Sequence, residues 1–177
     1  MKLPLFLIIG LLAAASPAAA AGGNSTAATE PLSPGVLKAV AARFHQLMAL
    51  ANRHDIQAIH SMFWQSPSAL LVAKSATPAE GNWSGFWGNA AIDQKLHDIA
   101  ASGPVILMPD YAKLKVVGLT HDIAESYAPM AITVSYAGQD GRPKPFLMIV
   151  TWKKIGVEWE VASEIILPVP PAPPAKG

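Results

Sequence analysis

Near neutral pH, protons can be moved in this chain by five histidines, His45, His54, His60, His97 and His121, and by a few well-placed acids. No two histidines have the i, i+4 spacing of a helical metal site and no His-Glu-x-x-His run occurs, so no metal is expected. His45 and His60 flank the apolar faces of their helices. Each could line a pocket as a general acid or base, or sit as a hydrogen-bonded residue at the core boundary. Asp110, Asp122 and Glu125 are the acids nearest the strand-rich half. Asp110 is the weak third candidate for chemistry. An acid there that faced a cavity would have its pKa raised by burial and could act as a base, whereas a solvated turn acid would not. The chain has no cysteine, which removes disulfides, thiolate nucleophiles and Cys-ligated zinc or iron–sulfur sites. No cofactor is expected.

Binding rather than catalysis is suggested by the large side chains near the same elements. Phe44, Met48 and Phe63 lie on the buried sides of the first two helices. Trp83, Phe86 and Trp87 cluster before the third helix, either as a wall over an apolar ligand or as anchors for a long loop. Tyr127 and Ser126 are adjacent in a strand, so only one of them can reach a cavity. With Ser163 on the last strand, the ligand-contact set is Phe44, Met48, Phe63, Trp83, Trp87, Tyr127 and Ser163.

These residues need elements to carry them. Residues 34–51 read as a helix: Pro34 suits a first turn, Ser33 the cap, and Val36, Leu37, Val40, Phe44, Leu47 and Met48 recur at helical spacing. Asn52-Arg53-His54 breaks it, and Asp55 caps a second helix over 56–63. Residues 68–74 form a candidate strand and 75–85 a loop. Asn89 is the expected cap of a third helix over 90–101, with Ile92, Leu96 and Ile99 buried and His97 opposite them. Residues 105–108 form a short bridging strand. Four strands then follow, 111–119, 123–136, 146–154 and 157–167. Pro129 predicts a bulge or bend in the second. In the last, Val157, Trp159, Val161, Ser163 and Ile165 alternate onto a dry face, with Glu158, Glu160 and Glu164 on the wet one.

The flanks read differently. Residues 1–21 have the layout of a secretory signal: Lys2, an apolar run too short to span a bilayer, then small residues with an Ala-x-Ala site. That predicts export, in alanine-rich style to a bacterial periplasm. Residues 22–33 read as a flexible linker and 168–177 as a proline-rich disordered tail. The domain proper is 34–167. The chain has 13 Lys+Arg against 12 Asp+Glu, so no basic face for nucleic acid is expected, and no membrane contact once a leader is removed.

Three pieces in this order resemble the NTF2-like superfamily, in particular its SnoaL-like and ketosteroid-isomerase-like domains. They are the helix pair over 47–63 with its acidic cap, Trp87-Gly88-Asn89-Ala90-Ala91-Ile92, and the closing hairpin over 151–161 with a tryptophan after the turn. The resemblance implies an α+β cone, three N-terminal helices packed on a strongly curved antiparallel sheet, with a pocket at its open end and a habit of homodimerising through the sheet. The residues depart from the enzymes. The strand over 68–74 lacks the isomerases' aspartate, the first helix lacks their tyrosine, and Ser163 and Ile165 stand where relatives carry inward histidines. The expected role is a non-catalytic module binding a small apolar molecule or building a dimer. The alternative is a SnoaL-like isomerase, cyclase or dehydratase acting on a small hydrophobic substrate, which would need at least two titratable groups converging in the cavity.

Overall fold

The computed structural model describes residues 32–75, 81–134 and 140–170. The expected leader, nearly all of the linker, the end of the proline-rich tail and part of the turn near Gly138 lie outside the described residues. The architecture is α+β: three helices and a mixed seven-stranded sheet.

Helix α1 spans Pro34–Asn52, with the Ser33 hydroxyl accepting from the Val36 N–H and Pro34 in the first turn, where its missing N–H costs nothing. It buries Val40, Phe44, Leu47 and Met48. Helix α2, Ile56–Met62, is capped by Asp55, whose carboxylate accepts from the Ala58 N–H at 3.1 Å. Helix α3 spans Asn89–Ala101. Its N-cap is Gly88 rather than Asn89: the Asn89 amide is turned away to donate to the Trp64 carbonyl at 3.0 Å. Gly88 has φ +79°, and a Cβ there would meet the Pro67 backbone at 3.4 Å, so the position suits glycine.

The strands are β1 Leu70–Lys74, β2 Trp83–Trp87, β3 Ile106–Pro109, β4 Lys115–Gly118, β5 Ile123–Thr133, β6 Lys144–Ile155 and β7 Glu158–Pro168. Their order is β2-β1-β7-β6-β5-β3, with β4 also paired to β5. The sheet is mixed rather than wholly antiparallel, because β1 runs parallel to β7. Two expectations need correction. The end of the expected loop, 83–85, belongs to β2, an edge strand paired with β1 from Trp83 opposite Lys74 to Trp87 opposite Leu70. The expected strand over 111–119 begins as a single 3-10 turn, Tyr111–Lys113, and becomes strand only at Lys115.

Pro129 makes no bulge: β5 and β6 pair in continuous register from Ile123 opposite Lys153 to Ile132 opposite Lys144. On its other edge β5 changes partner, from β4 at 124–127 to β3 at 130–133. The Pro129 carbonyl accepts from the Asp110 N–H at 2.8 Å on that edge. A strand residue's N and O point the same way, so the proline's missing donor falls in the gap between β3 and β4.

The bulge lies in β7. Trp152 pairs with Val161 and Thr151 with Ser163, so Ala162 is an extra residue with no partner. Before it, Trp159 and Val161 face inward. After it, the phase is inverted and Glu164 is buried while Ser163 is not. The two-residue turn before β7 has Gly156 at φ +59° as its first central residue, as the hairpin twist requires. Val157, expected on the dry face, is 87% exposed at that turn.

The α1–α2 junction is tied to β3. The Asn52 amide donates to the Leu107 carbonyl at 2.8 Å and accepts from the Leu107 N–H at 2.7 Å. Asn52→Ala leaves both backbone groups without this partner and is expected to cost about 1–3 kcal/mol. Urea unfolding should show a lower midpoint with an unchanged slope.

Candidate functional site

The inner face of the sheet has two ends of different character. At one, Trp152, Phe44, Phe63 and Val161 pack without exposure, and the Trp152 indole N–H donates to the Ser126 hydroxyl at 2.9 Å. That end is closed and its buried polar groups satisfy one another. At the other end the helices and sheet leave a cavity of about 120 Å³. Leu47, Met48 and Ala51 of α1, Ile56 and Ile59 of α2 and Leu96 and Ile99 of α3 form its helical wall. Leu71, Ala73, Leu107, Ile132, Phe146 and Ile166 form the sheet side, with Trp83 of β2 beside them. A cavity of this size and lining holds a molecule near the size of benzene, which occupies an apolar cavity of about 150 Å³ in a known case.

Among the described residues three titratable side chains reach the lining: His54, Lys74 and Glu164. His54 sits at the α1–α2 junction, with its ring Nε2 3.2 Å from both the carbonyl and the N–H of Val105. Lys74 holds its ammonium 5.6 Å from the centre of the Trp83 ring. Glu164 is different. It is 8% exposed, it lies in register between Leu71 of β1 and Val150 of β6, and among the described residues no hydrogen bond or ion pair holds its carboxyl. Burial pushes its pKa up from the usual carboxylate range to about 7.

Of the side chains singled out from the sequence, Met48 and Trp83 line this cavity. Phe44 and Phe63 do not; they fill the closed end. Trp87 is 62% exposed at the end of β2. Tyr127 is on the outer face of the sheet, because its neighbour Ser126 takes the inner one. Ser163 is also outside the cavity, its hydroxyl donating to Thr151 Oγ1 at 3.0 Å, because the bulge has turned Glu164 inward in its place. His45 is stacked on Tyr111 with ring centres 4.1 Å apart. His60 Nδ1 lies 3.5 Å from Asp93 Oδ1, between α2 and α3. Asp110 pairs with Lys113 at 2.9 Å, and that lysine's hydrogen bond holds its carboxyl below the usual range rather than above it. None of these last three reaches the cavity. Glu164 escaped sequence reasoning because strict alternation assigns it to the wet face. The available signal was the end of the alternation after the small pair Ala162-Ser163, where Ile165, Ile166 and Leu167 form an unbroken apolar run that fixes no phase.

Three helices stacked on a mixed sheet with an apolar cavity between them define a pocket-bearing α+β class, and solved structures give it a name. An NTF2-like protein of unknown function from Pseudomonas putida KT2440 matches with a TM-score of 0.61 at 13% identity, over 77% of this chain and 88% of that one. A protein of the NTF2-like family from Streptomyces avermitilis, provisionally assigned as a dehydratase, matches with a TM-score of 0.63 at 13% identity, over 78% and 100%. An NTF2-like protein with a cystatin-like fold from Novosphingobium aromaticivorans matches at 0.52 and 13% identity, over 75% and 80%. This chain has the NTF2-like fold. No family model and no curated protein matches its sequence.

The buried acid makes stability depend on pH. Its folded pKa, about 7, lies above the unfolded value near 4.5, so the native state holds the proton more tightly. Its contribution is present in full below the unfolded pKa and is lost as pH rises to about 7. The loss amounts to roughly 3 kcal/mol. Denaturation at pH 4.5 and 8 should show Glu164→Gln gaining on the wild type by about that amount at the higher pH. Equal gains at both would contradict the assignment.

Proposed function

We propose that this protein is a binding module for a small apolar molecule, held in the cavity between the helices and the inner face of the sheet. The observation that carries the reading is the lining: a partly open cavity walled by aliphatic and aromatic side chains from all three helices and most strands, with one buried polar side chain among them. In this reading the sheet curls round α1 as a cone and the cavity is its wide end. A toluene titration tests it. Toluene in excess should raise the melting temperature through preferential binding to the folded state. Ala73→Phe, which fills the space from β1, should remove that rise. A wild-type protein that toluene does not stabilise would refute the reading.

The second component is a homodimer through the outer face. Tyr127, Ile149 and Ile165 stand side by side there across β5, β6 and β7, with Pro129, Leu147 and Leu167 in the next row. Such a row is apolar enough to be covered by the same face of a second copy. Light scattering should give twice the monomer mass, and Ile149→Lys should halve it. A wild-type monomer at high concentration would exclude this contact.

The enzymatic alternative, an isomerase, cyclase or dehydratase, draws on the buried Glu164 carboxyl and on the Streptomyces avermitilis neighbour's provisional assignment. Against it stands the lack, among the described residues, of a second proton-transfer group joined to Glu164, His54 being engaged with the Val105 backbone.

A further inference from the structure

Among the described residues Glu164 is the one acid on the cavity, and its position calls for a partner. The groups packed round it cannot provide one: Leu71 and Val150 flank it in the sheet, and α1, α2 and α3 turn only aliphatic side chains toward the cavity. The other titratable groups on the lining are both basic, His54 at the α1–α2 junction and Lys74 on β1. Strands β3, β5 and β6 bring none. Lys95 is buried on α3, but it lies over the Phe86 ring at 5.1 Å and is not on the lining.

Resting on the pocket reading above, we propose that the occupant carries a single hydrogen-bond acceptor, a carbonyl or ether oxygen or an aromatic nitrogen, which receives the proton of the Glu164 carboxyl, so that the preference for such ligands is lost when that proton leaves. An unpaired carboxyl in apolar surroundings favours its neutral form, and a neutral carboxyl is a donor. A cationic head is the less suitable partner. It would pass His54 and Lys74 on the lining and would have to shed its hydration in a space where only one group can replace it. A pure hydrocarbon would fill the volume but leave the buried carboxyl without a partner, a loss comparable to a missing hydrogen bond.

Cyclohexanone and methylenecyclohexane test this, because they share a shape and differ in one oxygen. Affinities of both are measured by ligand-observed NMR at pH 5.5 and 8.5, on either side of the titration near 7. The wild type should prefer the ketone by about tenfold at the lower pH, the worth of one hydrogen bond. That preference should vanish at the higher pH. In Glu164→Gln the amide N–H replaces the acid proton and does not ionise, so the preference should persist at both values. In Glu164→Leu the hydrocarbon should still bind and the preference should be absent at both. Equal binding of the two probes by the wild type at pH 5.5 overturns this inference and leaves the pocket reading standing. A ketone preference that grows above neutrality also overturns it, because the carboxylate would then be the binding form. Failure of both probes to bind at any pH overturns the inference and the pocket reading together.

Discussion

The alternation of side chains along β7 is interrupted once, at Ala162, and the character of the cavity depends on that interruption. A strand that kept its phase would present Ser163 and Ile165 to the cavity and leave Glu164 in water. The extra residue exchanges them. A carboxyl is then enclosed by Leu71, Val150 and the apolar helical wall, with burial as the cause of its raised pKa. Such a group destabilises the fold at high pH, where its charged form would have to stay buried.

The rest of the inner face shows how the same sheet handles polarity where no opening exists. Trp152 and Ser126 are both fully buried, and each satisfies the other through one hydrogen bond of 2.9 Å. Phe44, Phe63 and Val161 complete a close-packed end with no room for a ligand. The contrast between the two ends is chemical as much as steric: one buried polar pair is closed on itself, and one buried polar group is open to a cavity. The separation follows from α1. Its early turns pack the closed end, and its later turns, at Leu47, Met48 and Ala51, border the open one.

Much of this was legible in the sequence because it rests on local signals. The caps at Ser33 and Asp55, the helical stripes and the β5–β6–β7 meander follow from capping chemistry and periodicity. The misread elements depend on distant partners. Residues 75–85 read as loop, and the last of them, 83–85, become strand through the pairing of β2 with β1. Pro129 reads as a bulge because a proline lacks a donor, yet here the missing donor falls where β5 passes from β4 to β3 and the ladder is already interrupted. The candidate site was half legible. Met48 and Trp83 follow from apolar pattern, whereas Glu164 follows from a one-residue slip that the alternation rule cannot foresee.

The α1–α2 junction has a further meaning at the margin of the sheet. Asn52 and His54 are two residues apart, and they bond to the backbones of Leu107 and Val105, also two residues apart and turned the same way. Two side chains thereby imitate the ladder that a neighbouring strand would offer. Ile106 and Met108 are nearly half exposed beside them, which would otherwise leave a sticky, open rim for an unrelated chain to extend. Occupying the main-chain groups of that rim leaves fewer of them for another strand to pair with.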